Sequence, residues 1–230
     1  MNRIDCLDKG YVRLVDSMGT DTTIVNAARV SYDKQVEELS SKDVRLIDFL
    51  AKNDHTSPFR HATLQFEIYA PLMIARQWWK YVAGSDHTQD AWNESSRRYI
   101  TEDEEFYVPN MRQWRTKPES SKQGSGIPLN HEDGDMWSET FANHIEQSVD
   151  LYQNAMAAGI APEQARMFLP AYGMYVRWYW TGSLQSVAHL IRQRTKDDAQ
   201  YEFQVYANAV KALAEQEFKV SIGALLGGDK

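Results

Sequence analysis

One short segment of the sequence has the residue types that bind a phosphate monoester. The run from Asn93 to Tyr99 contains Ser96, Arg97 and Arg98, so a hydroxyl, backbone amides and two guanidinium groups lie close together along the chain. Guanidinium groups bind phosphate oxygens through paired, charge-assisted hydrogen bonds. The segment therefore predicts an anion site, and the alternative is a surface loop whose arginines form ion pairs with nearby carboxylates.

Other side chains able to act chemically are spread along the chain. Arg194 ends a helical pattern, where a cation either binds an anionic ligand or pairs with Asp197 or Asp198. His55 is typical of a loop or capping residue, and His189 is typical of a hydrogen-bonded interior histidine on an amphipathic helix. Because no cysteine or carboxylate stands at ligand spacing around these histidines, the sequence predicts no metal site.

Composition excludes several classes of protein. A net charge of −7 argues against a surface that wraps nucleic acid, although a local basic pocket can still bind a small anion. The single cysteine, Cys6, excludes an internal disulfide framework, and its place near the start of the chain favours a structural role over that of a nucleophile. Because the sequence has neither an apolar run of bilayer length nor the apolar core of a signal peptide, we expect a cytoplasmic protein that binds no membrane.

The elements that must position these residues follow from hydrophobic periodicity. Strands are predicted over residues 11–15, 63–69 and 174–181, where apolar residues alternate or aromatic residues cluster. Helices are predicted over residues 21–30, 41–53, 71–84, 137–158, 162–169, 184–192 and 198–218. Asp21 or Thr22 is expected to cap the first helix, and Ser40 and Ser41 the second. The aromatic run at 175–180 is typical of packing in a core or a subunit contact.

One segment shows no regular pattern. Residues 111–135 contain Pro118, Pro128, several glycines and serines and many charges, which predicts a long, flexible surface excursion. The 230 residues, of which 43% are hydrophobic, can form one core, and no internal repeat or low-complexity linker divides them. We therefore expect one α+β catalytic domain over residues 1–230.

Two segments together resemble the signature of the flavin-dependent thymidylate synthases. They are the run from Ala75 to Lys80, with the sequence ARQWWK, and the run from Asn93 to Tyr99. Further segments resemble that family in the same order along the chain, at residues 27–31, 55–61, 165–170, 183–194 and 199–202. The resemblance implies the α+β fold of this family, a single domain with an antiparallel sheet and flanking long helices.

The resemblance also implies an activity. It implies a methyltransferase that converts dUMP into dTMP, with FAD as cofactor and with methylenetetrahydrofolate and NADPH as co-substrates. It further implies a homotetramer whose active sites are shared between subunits. In such a reaction the cofactors carry the chemistry and no protein nucleophile is needed, which agrees with the position of Cys6 outside every matching segment.

The resemblance assigns ligand contacts position by position. Contacts with dUMP are implied for Gln77, Lys80, Glu94, Ser96, Arg97, Arg98, Arg166 and Arg194. Contacts with FAD are implied for Ser31, His55, Ser57, Lys80, Tyr81, Val82, Glu94, Ser183, Gln185 and His189. Arg194 is implied to lie at the uracil edge, where a fixed cation stabilises negative charge on the ring oxygens, and it is the expected catalytic residue.

Some positions depart from the family pattern. Members commonly carry Arg-His-Arg where this chain has Lys80, Tyr81 and Val82, so the paired donors of arginine and a titrating ring nitrogen are lost there. The stretch 84–92 is longer than usual by roughly five residues, and Arg60 replaces a common acidic residue. These departures leave three alternatives open: another flavin- and folate-dependent C5 modification such as hydroxymethylation, another pyrimidine nucleotide as substrate, or a nucleotide-binding relative without catalysis.

Overall fold

The computed structural model describes residues 2–32, 34–83, 90–95, 104–119 and 124–227, with the backbone alone at residues 82 and 83. Across these ranges the chain forms five strands, β1 (Arg3–Cys6), β2 (Gly10–Met18), β3 (Thr63–Pro71), β4 (Ala91–Glu94) and β5 (Tyr175–Ser183). The strands make an antiparallel sheet in the order β1-β2-β3-β5-β4.

Eight α-helices flank this sheet in the described ranges. They are α1 (Asp21–Ala28), α2 (Ser41–Lys52), α3 (Leu72–Ala83), α4 (His131–Ala157), α5 (Pro162–Ala165), α6 (Leu184–Arg194), α7 (Tyr201–Glu217) and α8 (Lys219–Leu226). Short 3₁₀ turns cover Val30–Tyr32, Ser57–His61, Arg166–Phe168 and Ala171–Gly173. The predicted α+β class, with an antiparallel sheet and flanking long helices, is confirmed, and a single catalytic domain over residues 1–230 stays a prediction.

One face of the sheet carries the hydrophobic core. On β3, Leu64, Phe66 and Ile68 are fully buried, as the predicted alternation requires. The register pairs Phe66 with Trp180 and Ile68 with Trp178 on β5, and both tryptophans are buried. The two tryptophans of the β5 run therefore pack in the core, as predicted, whereas Tyr179 between them is 38% exposed.

Helices α3, α6 and α7 pack on this face of the sheet. Trp78 of α3 stacks on Phe203 of α7, with ring centroids 5.4 Å apart, and meets Trp178 and Trp180 edge-on at 5.5 Å. Such aromatic pairs each add about 0.5–1.5 kcal/mol beyond the area that they bury. Helices α3 and α7 are therefore fixed on the sheet. The polar side chains on these two helices are fixed with them.

The other face of the sheet carries a buried carboxylate. Glu67 of β3 accepts hydrogen bonds from the hydroxyl of Tyr11 at 2.8 Å and from Nε of Arg13 at 2.7 Å, and Arg177 lies 3.7 Å away. Burial alone would raise the pKa of Glu67, but the bonds from Arg13 and Tyr11 and the charge of Arg177 outweigh it and lower this pKa. One carboxylate thus joins strands β2, β3 and β5.

Asp21 has a role that the sequence did not predict. The N-cap of α1 is Thr20, which closes a reciprocal capping box, so the predicted cap at Asp21 or Thr22 is wrong by a residue or two. The Asp21 carboxylate instead accepts hydrogen bonds from the backbone amides of Val220 at 3.0 Å and Ser221 at 2.9 Å. A carboxylate at this position satisfies amides in the first turn of α8, so a residue of α1 holds the start of α8.

Helix α4 begins at His131, inside the segment 111–135 that the sequence assigned to a surface excursion. The side chain of Asn130 caps it. Gly134 lies inside the helix and packs so closely on the carbonyl oxygen of Met111 that a β-carbon would overlap that oxygen. The predicted start of this helix, at residue 137, was wrong because a glycine required by packing was taken for a break in the pattern.

Other element boundaries differ by a few residues. Helix α1 ends at Ala28, and Val30 lies exposed in the following turn rather than on an inner face. Pro71 is the last residue of β3, so α3 begins at Leu72, and α7 begins at Tyr201. Strands β1 and β4 and helix α8 were not predicted, because elements of four to eight residues carry too short a pattern to identify.

Candidate active site

The C-terminal end of α6 borders a cavity of about 480 Å³. Gln77 and Tyr81 of α3 line it and stand four residues apart, so both lie on one face of that helix. The other described residues around the cavity are Gly124, Gln193, Arg194, Lys196, Asp198, Ala199 and Gln200. The fold therefore brings together three predicted site residues, Gln77, Tyr81 and Arg194.

Arg194 lies in this cavity as an unpaired cation. Its guanidinium carbon is 4.9 Å from the ring centroid of Tyr81 and 5.1 Å from that of Phe203. Among the described residues its buried Nε has no hydrogen-bond partner, and neither Asp197 nor Asp198 forms an ion pair with it. The two rings hold the cation in place but leave its N–H donors unused. The guanidinium can therefore bind an electron-rich oxygen of a ligand, and the alternative of a simple ion pair at the helix end is disfavoured.

The amide of Gln77 is held against the start of α7. Its Nε2 donates to the carbonyl oxygen of Met73 at 3.3 Å and to Oε1 of Gln200. Gln200 in turn donates to Glu202 at 2.9 Å. Because each of these groups is held by the next, this wall of the cavity is polar and fixed in place.

Helix α6 presents a polar stripe beside Tyr81. Gln185, His189 and Gln193 stand at four-residue intervals and so share one face of the helix. His189 is exposed, rather than interior as its pattern suggested, and its ring centroid is 5.8 Å from that of Tyr81. Oε1 of Gln185 accepts a hydrogen bond from Nε of Arg60 at 3.3 Å, which ties the turn Ser57–His61 to the stripe. Two predicted FAD contacts, Gln185 and His189, therefore lie in line next to a third, Tyr81.

The N-terminal end of α6 contains a further predicted FAD contact. Ser183 is fully buried, and its hydroxyl caps the helix by accepting a hydrogen bond from the amide of Ser186 at 3.2 Å. Two other predicted FAD contacts, His55 and Ser57, are exposed and precede β3 in the chain. The centroid of the His55 ring lies 5.9 Å from that of Phe49. Contact of these three residues with FAD stays a prediction.

The remaining predicted site residues lie elsewhere. Ser96, Arg97, Arg98 and the side chain of Val82 fall outside the described residues. Four others are exposed and do not line the cavity: Lys80 on α3, Glu94 at the end of β4, Ser31 in the turn after α1, and Arg166 in the turn after α5. Nε of Arg166 donates to the carbonyl oxygen of Glu163 at 3.3 Å. Their contacts with dUMP or FAD also stay predictions.

A second cavity, of about 550 Å³, adjoins the first at Gly124 and Gln200. Sequence reasoning did not identify it. Five aromatic side chains line it, those of Tyr107, Trp114, Phe141, Tyr172 and Tyr201. These come from the aperiodic segment around 107–115, from α4, from the turn Ala171–Gly173 and from the start of α7. The only local signal was the presence of aromatic residues in a segment otherwise rich in charge. The sequence alone does not predict that such residues from distant segments line one cavity.

Three further observations concern the cysteine, metal binding and membrane-spanning helices. Burial raises the pKa of the Cys6 thiol to about 12, so the reactive thiolate is scarce near neutral pH, in keeping with a structural role. Among the residues described, no three His, Cys, Asp or Glu side chains gather in a way that could hold a metal ion. In the same part of the chain, no helix has both the length and the apolar character needed to cross a membrane.

Comparison with known proteins gives the family. A family model described as "Thymidylate synthase complementing protein" matches residues 13–218. The flavin-dependent thymidylate synthase of Ehrlichia ruminantium (strain Gardel) is 34% identical over 220 residues, which cover 96% of this chain and 71% of that protein. The enzyme of the same name from Thermotoga neapolitana is 34% identical over 218 residues, covering 94% of this chain and 90% of that protein.

Solved structures share the fold of this chain. The UMP/dUMP methylase PolB from Streptomyces cacaoi, bound with 5-Br UMP, superposes with a TM-score of 0.82 at 25% identity, covering 98% of this chain and 97% of that chain. Its structure with 5-Br dUMP gives a TM-score of 0.82 at 26% identity, covering 96% of each chain. Because the sequence matches span nearly the whole chain and include the helices that form the cavity, this chain belongs to the flavin-dependent thymidylate synthase family.

Proposed function

We propose that this enzyme converts dUMP into dTMP by reductive methylation, with FAD as cofactor, methylenetetrahydrofolate as carbon donor and NADPH as reductant. The observation that carries the proposal is the unpaired guanidinium of Arg194, held over Tyr81 and Phe203 in a cavity that Gln77 also lines. Family membership supports the class of reaction, and the cavity supplies the fixed cation that this reaction needs. We further propose that the reaction takes place in the cytoplasm.

In the proposed reaction Arg194 lies at the uracil edge. There it stabilises the negative charge that develops on the ring oxygens as C5 becomes nucleophilic. The rings of Tyr81 and Phe203 position the cation before the substrate arrives, so little reorganisation is needed during the reaction. The joined amides of Gln77 and Gln200 supply donors and acceptors that complement the imide edge of a uracil.

The polar stripe of α6 fits a flavin. Gln185, His189 and Gln193 offer hydrogen-bonding groups along one face, and Tyr81 adds a flat ring beside them. This stripe carries no carboxylate, which suits an electron-rich reduced ring system. FAD bound here and reduced by NADPH would supply the hydride that completes the methyl group. We propose the remaining FAD contacts for Ser31, His55, Ser57, Lys80, Val82, Glu94 and Ser183.

The phosphate of dUMP is proposed to bind Ser96, Arg97, Arg98 and Arg166, with Lys80 and Glu94 nearby. A homotetramer with shared active sites accounts for phosphate ligands on separate segments. Exposed apolar side chains support self-association: α4 carries Met136, Trp137 and Leu151, and the turn after α5 carries Met167 and Phe168. Exposed apolar patches of this kind commonly mark interfaces between proteins.

The decisive experiment for the proposed function is product analysis. The purified protein, loaded with FAD, is expected to be yellow and to bleach when NADPH is added without oxygen. Incubation with dUMP and methylenetetrahydrofolate is then expected to yield a nucleotide with the mass of dTMP. A product carrying a hydroxymethyl group contradicts the proposal in favour of another C5 modification, and a protein that binds dUMP but takes up no FAD indicates a relative without catalysis.

UMP is a second candidate substrate, favoured by one observation. The two PolB structures matched by this chain belong to an enzyme described as a UMP/dUMP methylase, with brominated analogues of both nucleotides bound. A comparison of kcat/KM for UMP and dUMP distinguishes the candidates. We expect dUMP to be preferred, and equal values for the two nucleotides would show that the site does not read the 2′ position of the sugar.

A further inference from the structure

The second cavity, like the first, contains a guanidinium that lies over an aromatic ring. It has a volume of about 550 Å³ and meets the first cavity at Gly124 and Gln200. The rings of Tyr107, Trp114 and Tyr201 line it, together with Phe141 of α4. Cavities with aromatic walls and a few fixed polar groups are typical binding sites for flat ligands.

Arg115 lies in this second cavity without an anionic partner. Its guanidinium carbon is 4.5 Å from the ring centroid of Tyr201, and its Nε is buried with no hydrogen-bond partner. Over the described part of the chain, no carboxylate forms an ion pair with it. A partly buried guanidinium that lacks hydrogen bonds is unfavourable, so its donors favour the binding of an anionic group.

The backbone holds Arg115 in place. The residue forms an antiparallel bridge with Pro128, and the amide of Leu129 donates to the carbonyl oxygen of Trp114 at 2.8 Å. The amide of Thr116 donates to the carbonyl oxygen of Ile127 at 2.9 Å. The cation therefore belongs to a small hydrogen-bonded hairpin, which makes its position a fixed feature of the cavity.

Two further polar groups lie in the same cavity. The Tyr107 side chain is 2% exposed, and its hydroxyl has no hydrogen-bond partner. The carboxylate of Glu202 accepts a hydrogen bond from Gln200 at 2.9 Å and has lone pairs left for another donor. A ligand that fits this set has a flat ring, an anionic group for Arg115 and an N–H group for Glu202.

We propose that this second cavity binds an aryl amide carboxylate next to the nucleotide site, with its carboxylate on Arg115 and its N–H group on Glu202. The aminobenzoyl-glutamate part of the folate donor has this chemistry, and this identification rests on the proposed function. The shared wall at Gln200 places such a group beside the cavity that contains Arg194. A second nucleotide is the other source of a flat ring with an anionic group.

The test is a calorimetric titration of the FAD-loaded protein, saturated with dUMP, with p-aminobenzoyl-glutamate. We expect saturable binding that Arg115→Gln weakens about tenfold, because the variant loses one charge-assisted pair. Arg112→Gln serves as the matched control, since Arg112 lies exposed on the same segment and does not line the cavity. Thermal unfolding checks that the variants are folded, and Phe141→Leu, which removes a ring contributed by α4, is expected to weaken binding as well.

Several outcomes would overturn this inference. They are the absence of saturable binding to the wild-type protein saturated with dUMP, or equal affinity in the wild type and Arg115→Gln. Titration with UMP under the same conditions tests the other source, and Arg115-dependent binding of UMP alone would assign the cavity to a second nucleotide. Binding of dUMP and bleaching of the flavin by NADPH are measured on the same preparation, so failure here is distinguishable from failure of the proposed function.

Discussion

At the level of single residues, Arg194 and Arg115 share one arrangement. Each guanidinium lies over an aromatic ring, and each has a buried Nε without a hydrogen-bond partner in the described chain. Contact with a ring contributes about 0.5–2 kcal/mol, but it leaves the N–H donors of the cation unsatisfied. Both cations are therefore held ready for a ligand oxygen by rings rather than by carboxylates, which would compete with that ligand.

The first prediction concerns Arg194. We expect Arg194→Gln to lower kcat/KM for dUMP by about 100-fold or more, because a positioned group that stabilises developing charge contributes on that scale. Steady-state kinetics with saturating folate and NADPH measures the loss.

Arg192→Gln is the matched control on the same helix. Arg192 donates to the carbonyl oxygen of Leu225 at 2.6 Å and does not line either cavity, so its replacement is expected to affect stability more than turnover. Equal losses of kcat/KM in the two variants would mean that the helix end, rather than the cation at Arg194, supports the reaction.

At the level of elements, the first turn of α4 packs closely against a segment that precedes it in the chain. The carbonyl oxygen of Met111 lies against Gly134 inside the helix, where a β-carbon would overlap it. Met111 belongs to the same segment as Arg115, so this contact also fixes α4, which contributes Phe141 to the second cavity, against that segment. Only glycine at residue 134 allows that approach without a shift of the backbone.

Gly134→Ala is therefore expected to destabilise the protein by about 1–3 kcal/mol, as overpacking in a close contact does. Gly223→Ala on α8 is the matched control, since a β-carbon there meets no atom within 4 Å and alanine favours the helix. Urea unfolding of both variants gives the comparison. A neutral Gly134→Ala would show that α4 can move away from Met111 at little cost.

Glu67 predicts how the stability of the sheet depends on pH. Its folded-state pKa is lowered, so its contribution is present above its unfolded value and is lost as the pH falls through the lower folded value. Wild-type protein is expected to lose stability as the pH falls from neutral into this acidic range. Glu67→Gln is expected to cost about 2 kcal/mol at neutral pH and to show a smaller dependence on pH.

Urea unfolding between pH 7 and pH 3 measures this effect. Glu215→Gln is the control, because Glu215 forms an exposed pair with Lys211 four residues away, and such pairs contribute about 0.3–0.5 kcal/mol. Parallel pH profiles for the wild type and Glu67→Gln would show that the carboxylate joining the three strands does not govern acid stability.

Elements with a long, regular pattern could be predicted, and those fixed by contact with distant segments could not. The alternation on β3 and the apolar face of α6 are local patterns, so both elements followed from the sequence, although α6 ends at Arg194 rather than at residue 192. Gly134 and Arg115 depend on partners far along the chain or on a hairpin without periodicity, and local rules do not describe such contacts. The cluster of Gln77, Tyr81 and Arg194 was reached through family resemblance, which carries that non-local information.

At the level of the whole molecule, the exposed apolar side chains of α4 and the turn after α5 predict assembly. Sedimentation equilibrium is expected to give four times the 26.5 kDa of one chain. Met167→Glu places a charge on a side chain that is 77% exposed in one subunit and is expected to reduce the assembled mass. Met18→Glu, at an exposed methionine on β2, is the control and is expected to leave it unchanged. A monomer at micromolar concentration with full activity would contradict shared active sites.

The hydrogen bonds from the start of α8 to Asp21 have a consequence for how the chain is made. Helix α7 covers β1 and β2, and α8 packs on α1 and α2, so elements that are synthesised earlier are completed by elements that follow about 200 residues later. Contacts between such distant segments form slowly, and the unfinished sheet exposes apolar surface until they do. A nascent chain that stalls before α8 therefore lacks the partner of Asp21, and we expect quality-control proteases to remove it rather than let a half-built enzyme accumulate.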